Sequence, residues 1–462
     1  MTVSLVCPQP IVDEMADAAH QRLETAGVLL CSVVETPNGH RRLLARHMRW
    51  VDERAYIRRE RDSLAIASDG YVSALAEAET LGAACLWVHT HPGDGALPIQ
   101  SEHDRVVDCQ LADLFRLRSA SPYYGALVFS PRDKGITFTG FLQREGQERQ
   151  AVDRLWQSGD RWRLTAAFAN QYGRPSEQFD RNIRAFGPVI QATLGDLHVG
   201  IVGCGGTGSA VGEQLVRLGI RNFTLIDPDL LSASNTTRVY GSDLASVGRF
   251  KAELLADHLC HIAPDAVAAP VLGMITKESV ARRLEDCDVV FGCTDDNAGR
   301  LVLSRLSTYY LTPVIDCGVL LSSNAEGVLT GIDGRVTTLV PGQACLVCRN
   351  RIDLARAAAE LLTPNERVRR IEEGYAPALG RTEPAVVAFT TLVAATAVSE
   401  LLERLIGYGP EPRPNEVLLR YHEREMSTNL ALPHERHYCH PVSGKIGLGP
   451  TKPFLEQAWP NE

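Results

Sequence analysis

Four short, continuously apolar runs mark the second half of the chain: H-V-G-I-V from His198, F-T-L-I-D from Phe223, D-V-V-F-G-C from Asp288 and T-P-V-I-D-C from Thr312. Stretches of ten or more residues with helical spacing separate them. Unbroken hydrophobicity over five or so residues is the signature of strands covered on both faces, so the pattern predicts buried parallel strands in a doubly wound α/β sheet. The first half reads differently. Ile11, Met15, Ala18, Ala19 and Leu23 predict a helix over 11–26, and Val28–Val34 predicts a strand broken by P-N-G, with Leu43 onward as its hairpin partner. A helix over Asp69–Leu81 leads into the strand A-C-L-W-V, then a polar loop, a helix from Ser101 to about Leu117, and closing strands at Tyr124–Phe129 and Gly135–Leu142. This predicts an α+β domain over 1–143. Over Gln143–Tyr172 the apolar positions Val152, Leu155, Trp156, Trp162, Leu164 and Phe168 have roughly helical spacing and predict a helical connector, closed by the linker G-R-P-S-E-Q; 144–178 separates the domains, and 179–462 forms the second. Pro384–Ile406 predicts a long apolar helix, which Thr390, Thr391, Thr396, Ser399 and Glu400 mark as a buried core or dimer helix.

Composition narrows the function classes. A net charge of −9 with no basic run argues against nucleic acid as a partner. No apolar stretch reaches the about 18 residues of a membrane span, and Met1–Pro10 has no signal-like pattern, so a cytoplasmic protein is expected. Most of the 12 cysteines, Cys31, Cys85, Cys260 and Cys287 among them, lie inside apolar patterns and read as buried reduced thiols. Cys345 and Cys348 differ: C-L-V-C has metal-ligand spacing.

Two constellations carry chemistry. On a strand, side chains two apart share a face, so His89 and His91 reach one ion, and Asp104 at the following helix start is a third ligand. Three N/O ligands leave a coordination position for water, the arrangement of a hydrolytic zinc. Farther on, the run ending at Val202 turns through Gly203, Gly205, Gly206 and Gly208 into a helical pattern. Bare backbone and the N–H groups of a helix start suit a nucleotide phosphate, and Asp227, about twenty residues on, suits ribose hydroxyls. The stretch that follows supplies Asp229, Asn235, Arg238, Lys251 and Asp295. A basic pair plus an extra acid exceeds what a dehydrogenase needs. It suits attack of a carboxylate on the α-phosphate of ATP, where Arg238 and Lys251 neutralise charge and Asp295 holds Mg²⁺.

The H-x-H-P…S-x-x-D run resembles the JAB/MPN (JAMM) metallopeptidases, which cleave peptide or isopeptide bonds after ubiquitin-like C-termini. The resemblance implies Glu24, before Gly27-Val-Leu-Leu, as general base, with Glu35 as the alternative, and Ser101 as the oxyanion-stabilising serine; the interval from His91 to Ser101 is longer than usual in that family. From Phe179 to the C-terminus the chain resembles the ThiF/MoeB and ubiquitin-activating-enzyme superfamily. That resemblance implies ribose binding by Asp227, phosphate contacts from Asn235, Arg238 and Lys251, and Asp295 as the magnesium-linked acid. It also implies an Arg181 that reaches a partner protomer's nucleotide, hence a homodimer. Cys345 and Cys348 match half of the family's structural zinc site, which Cys439 and His437 complete, with His440 or His434 as substitutes. The crossover interval Arg349–Pro384, where thioester-forming members carry their cysteine, has none; Cys204, Cys293 and Cys317 near the nucleotide read as packing residues.

Together the resemblances imply a bifunctional enzyme. Its first domain hydrolyses a bond beyond the tail of a ubiquitin-like protein, and its second adenylates the exposed C-terminal glycine, as in bacterial ubiquitin-like conjugation or antiphage systems with a conjugating enzyme downstream. The alternatives are activation of a sulfur-carrier protein for thiocarboxylate formation, and a docking protein with one inactive domain.

Overall fold

The computed structural model describes residues 2–93, 97–132, 135–167, 177–324, 326, 328–362, 365, 366, 369 and 385–460. The chain divides into two units, Met1–Gln171 with Ile446–Pro450, and Tyr172–Lys445 with Thr451–Glu462.

In the first unit the elements run β1 (Val3–Pro8), α1 (Gln9–Ala19), β2 (Ala26–Glu35), β3 (Arg41–Trp50), β4 (Tyr56–Arg59), β5 (Leu64–Ile66), α2 (Asp69–Leu81), β6 (Ala84–Thr90), α3 (Glu102–Ser119), β7 (Tyr123–Arg132), β8 (Gly135–Arg144), β9 (Gln150–Ser158) and β10 (Arg163–Ala166). The main sheet is ordered β1-β3-β2-β6-β7-β8-β9-β10, and β1 also pairs with β9, so the sheet closes on itself. Both faces are covered. Leu29 and Cys31 of β2 join a core with Ile11 and Met15 of α1, whereas Val28 and Leu30 join a second core with Leu75 of α2 and Phe115 of α3. Alternate residues of a strand point to opposite faces, which is why β2 reads as an unbroken apolar run.

The segment expected as a helical connector forms β9 and β10 instead. The reason is local. Val3 pairs with Val152 but Ser4 with Arg154, a bulge at Asp153 that inserts one residue into β9. Inward positions on either side, Val152 and Leu155, are thereby three apart and imitate helical spacing. Phe168 and residues 173–176 of the expected linker lie outside the described residues.

The second unit continues with α4 (Asp180–Asp196), β11 (His198–Val202), α5 (Gly206–Leu218), β12 (Asn222–Ile226), α6 (Lys251–Ile262), β13 (Val267–Val271), α7 (Glu278–Ala281), β14 (Val289–Gly292), α8 (Asn297–Tyr310), β15 (Val314–Ser323), β16 (Leu329–Leu339), α9 (Leu354–Glu360), α10 (Val387–Ile406), β17 (Glu416–Arg420) and β18 (Glu425–Asn429). Its sheet is ordered β13-β12-β11-β14-β15-β16-β17-β18. The pairs from β13 to β15 are parallel, as the apolar runs predict, and those from β15 to β18 are antiparallel. β13 escapes the hydropathy pattern because an edge strand carrying Pro270 is half exposed. α10 buries Val393, Ala394, Ala397 and Leu401 completely, consistent with a core helix; Pro384 lies outside the described residues. No helix of the described residues is long and apolar enough to cross a membrane.

Candidate functional sites

In the first unit, β2 runs antiparallel to β6 with Ala26 opposite His89, which brings Glu24 to the histidines from far back in the chain. His89 and His91, at the end of β6, present their Nε2 atoms 3.2 Å apart. Asp104 Oδ1 lies 3.3 Å from His89 Nε2, Asp104 Oδ2 3.8 Å from His91 Nε2, and Glu24 Oε1 4.0 Å from His91 Nε2. Asp104 is fixed by a capping box: Ser101 Oγ accepts from the Asp104 N–H at 3.1 Å, and Asp104 Oδ2 accepts from the Ser101 N–H at 2.7 Å.

The electrostatics fit a cation. Burial would raise the Asp104 carboxyl, but the hydrogen bond and charge of His89 and the bonds from Ser101 hold it well below its usual range. Burial, then His89, lowers the His91 pKa, favouring the neutral imidazole that ligates metals. Glu24 is pushed up to about 7 by burial, with His89 opposing and Asp104 and Asp62 adding. Ligand atoms about 2.0–2.1 Å from a tetrahedral zinc stand roughly 3.3 Å from one another, close to the 3.2 and 3.3 Å from His89 to His91 and to Asp104 and shorter than the 3.8 Å from His91 to Asp104. Glu35, the alternative base, lies at the other end of β2, where its carboxylate accepts from the Tyr123 hydroxyl at 2.5 Å. A strand of that length spans about 30 Å, so Glu35 is not part of this cluster.

In the second unit the glycine turn joins β11 to α5. Gly203 has φ +92°, and a Cβ there would meet the Cys293 carbonyl oxygen at 2.6 Å and the Thr294 nitrogen at 3.0 Å, which sets Asp295 beside the turn. Arg238 packs over the same loop, its Cγ and Cδ 3.2 Å from the position of a Cβ on Gly206. The buried Asp227 binds the turn through Oδ2, which accepts from the Cys204 N–H at 2.6 Å, while its Oδ1 accepts from the Asp229 N–H at 2.8 Å. Burial raises its pKa, opposed first by Lys251. Lys251, at the start of α6, donates to Asp229 Oδ2 at 2.8 Å. The structure therefore gathers Gly203, Gly205, Gly206, Gly208, Asp227, Asp229, Arg238, Lys251 and Asp295. Asn235 Oδ1 accepts from the Ser232 N–H at 3.1 Å in a local turn, and Arg181 is exposed in the first turn of α4.

A second donor cluster is built from distant residues. The His437 Nδ1 atom lies 3.4 Å from Cys345 Sγ, 3.4 Å from Cys348 Sγ and 3.3 Å from Cys439 Sγ. The Cys345 thiol is pulled below its ordinary value, first by its hydrogen bond from Cys439, the direction that favours a metal-binding sulfur. A Cys₃His set at these separations suits a tetrahedral structural zinc. His440 instead caps a 3₁₀ turn by accepting from the Val442 N–H, and His434 offers the Cys348 sulfur its backbone N–H. This set and His89, His91 and Asp104 are the groups among the described residues that converge closely enough to hold a metal ion.

Sequence reasoning missed Arg300 and Arg335, which share a cleft with Asp295, the buried Asp316 that pairs with both, and Glu360, whose carboxylate accepts from the Ala298 N–H at the start of α8. No spacing signals them, because strand register and the packing of α8 and α9 unite them from separate parts of the chain. Most of the crossover interval Arg349–Pro384 lies outside the described residues.

Residues 179–440 match the ThiF family. The chain is 31% identical over 172 residues to molybdopterin-synthase adenylyltransferase of Escherichia coli K12, covering 37% of this chain and 65% of that protein. It is 28% identical over 162 residues to the SAMP-activating enzyme E1 of Haloferax volcanii, covering 35% and 56%. It is 34% identical over 131 residues to the ATP-dependent ubiquitin transferase-like protein Cap2 of Enterobacter hormaechei subsp. hoffmannii, covering 28% and 21%. The chain thus spans less than two thirds of the length of each of these relatives. Since the matched region takes in more than half of the chain, from the helix before the glycine turn to the last cysteine, this chain belongs to the ThiF family.

Proposed function

We propose that the second unit adenylates the C-terminal carboxylate of a small ubiquitin-like or sulfur-carrier protein at the expense of ATP. The observation that carries this reading is the convergence of Arg238, Lys251 and Asp295 on the glycine turn. A tail carboxylate oxygen attacks the α-phosphorus, the bond to the bridging oxygen breaks, and pyrophosphate leaves with that electron pair. Both reactants are anionic, so two cations beside the turn lower the barrier where negative charge accumulates. Asp227 orients the ribose. Asp295 would hold Mg²⁺, which supplies further neutralisation of the phosphates. Arg181, exposed at the start of α4, reaches the nucleotide of a second copy in a homodimer.

The first unit is a JAB/MPN-like peptidase acting on the same kind of tail, in line with a bacterial ubiquitin-like conjugation or antiphage pathway that includes a conjugating enzyme. His89, His91 and Asp104 would hold a zinc ion, which supplies a polarised water. Glu24, buried and within 4.0 Å of His91, takes up the proton, and the Ser101 hydroxyl donates to the developing oxyanion. The absence of cysteine from 349–384 favours a second reading, in which sulfide attacks the acyl carbon of the adenylate, AMP leaves and the carrier is released as a thiocarboxylate.

Pyrophosphate exchange with glycine-ending ubiquitin-like proteins tests the adenylation. Wild type supports exchange and Asp295→Ala does not; absence of exchange with every such protein refutes the reading. A thiocarboxylate product supports sulfur transfer, whereas a lysine conjugate or cysteine thioester supports ligation.

A further inference from the structure

β15 and β16 pair so that Gly318 stands opposite Arg335 and Asp316 opposite Thr337. Asp316 is fully buried at the edge of a cleft of about 820 Å³ that Asp295, Arg300, Gly318, Asp333 and Arg335 help to line. An isolated buried carboxylate is costly, and this one is paired twice: Arg335 Nη2 lies 2.6 Å from Oδ2 and Arg300 Nε 3.4 Å from Oδ1. Two guanidiniums share one carboxylate, so the group of three carries one net positive charge. Both converge over Gly318, where a Cβ would stand 3.4 Å from Arg335 Nη2 and 3.7 Å from Arg300 Nη2. The bare glycine leaves these groups open to the cleft. The buried Nε of Arg335 has no hydrogen-bond partner among the described residues.

The remaining arginines of the cleft are committed elsewhere. Arg351 pairs with Glu416 at 2.8 Å, Arg356 with Glu360 at 3.2 Å and Arg420 with Glu425 at 3.2 Å. The two guanidiniums at the Gly318 rung are thus the arginines of the cleft that share a single carboxylate, and Asp295, Asp296 and Asp333 line the same cleft. Phosphates are served by a different set of residues at the glycine turn. A planar guanidinium pair matches a carboxylate as well as a phosphate, and with the phosphates held at the glycine turn the carboxylate is the partner left for it.

We propose that Arg300 and Arg335 form an acid-reading rung, which selects tails carrying an Asp or Glu side chain a few residues before the terminal carboxylate that is presented beside Asp295. This rests on the adenylation reading and names the substrate class of that site.

The test is binding of fluorescently labelled peptides ending in Gly-Gly to the full-length protein without ATP, with Glu, Gln or Lys at one position at a time. At one position the Glu peptide binds at least about tenfold more tightly than the Gln peptide and the Lys peptide more weakly still. In Arg335→Ala and Arg300→Ala the preference disappears while ATP affinity is unchanged. Equal binding of Glu and Gln peptides at every position, no binding by any peptide, or a loss of ATP affinity in Arg335→Ala overturns the proposal. The peptide series on wild type needs no variant to fold. A Glu preference without pyrophosphate release from any peptide refutes the adenylation reading alone, and pyrophosphate release without a Glu preference refutes the rung alone.

Discussion

The carbonyl oxygen of Gly203 occupies the place where a side chain on Gly208 would begin: a Cβ on Gly208 would lie 1.8 Å from it. The turn from β11 into α5 is thus closed by two glycine backbones in contact. Gly208→Ala forces that contact apart at a cost of about 1–3 kcal/mol or more. The variant is expected to melt at lower temperature than wild type and to lose the rise in melting temperature that ATP gives, measured by differential scanning fluorimetry.

Two donor clusters predict two kinds of zinc. Purified protein is expected to carry zinc at both, with His89→Ala losing the ion of the first unit and Cys348→Ala that of the second, counted by inductively coupled plasma mass spectrometry. The buried Cys₃His cluster is expected to resist a chelator longer than the cluster of His89, His91 and the half-buried Asp104, because three sulfurs and an imidazole close the coordination shell. Equal loss from wild type and both variants would contradict this assignment.

Glu24 Oε1 stands 4.0 Å from His91 Nε2 and Glu24 is not one of the three converging donors, so its removal separates proton transfer from metal binding. Glu24→Gln is expected to keep its zinc and lower cleavage of a ubiquitin-like precursor by about 10²-fold or more, the usual contribution of a positioned general base. Glu35→Gln, altered at the opposite end of the strand, is expected to cleave like wild type.

Glu416 gives a pH signature in the second unit. Burial would raise its carboxyl, but Arg351, at 2.8 and 2.9 Å from its two oxygens, together with Arg349 holds it below the ordinary value of 4.5. A depressed native pKa stabilises the fold fully above the unfolded value and is lost as pH falls through the native one. Glu416→Gln is therefore expected to lose about 3 kcal/mol at pH 7. Its deficit should shrink below pH about 4.5, as read from urea unfolding at both pH values.

How far these sites could be read in advance depended on sequence distance. His89 and His91 share a strand face, and Asp104 belongs to a capping box with Ser101, so local periodicity announces all three. The glycine turn is legible for the same reason, since strand, turn and helix start are contiguous. Choosing between Glu24 and Glu35 is different: both flank one strand, and only the pairing of Ala26 with His89 decides which end faces the histidines. The pattern over Val152–Leu155 misleads because a bulge and a helix can produce the same spacing of apolar residues.

By itself, the sequence determined the chemistry of each short segment: which turn admits phosphate, which strand offers two imidazoles, which C-x-x-C seeks a partner, and where buried parallel strands lie. The tertiary structure alone decided which distant segments share a site. His437 rather than His440 meets the cysteines, β9 closes the first sheet, and Asp316 gathers Arg300 and Arg335 beneath the cleft. The physical reason is that periodicity is a property of neighbours along the chain. Strand register and the burial of a carboxylate are settled by hydrogen bonds and desolvation among residues that the chain keeps far apart.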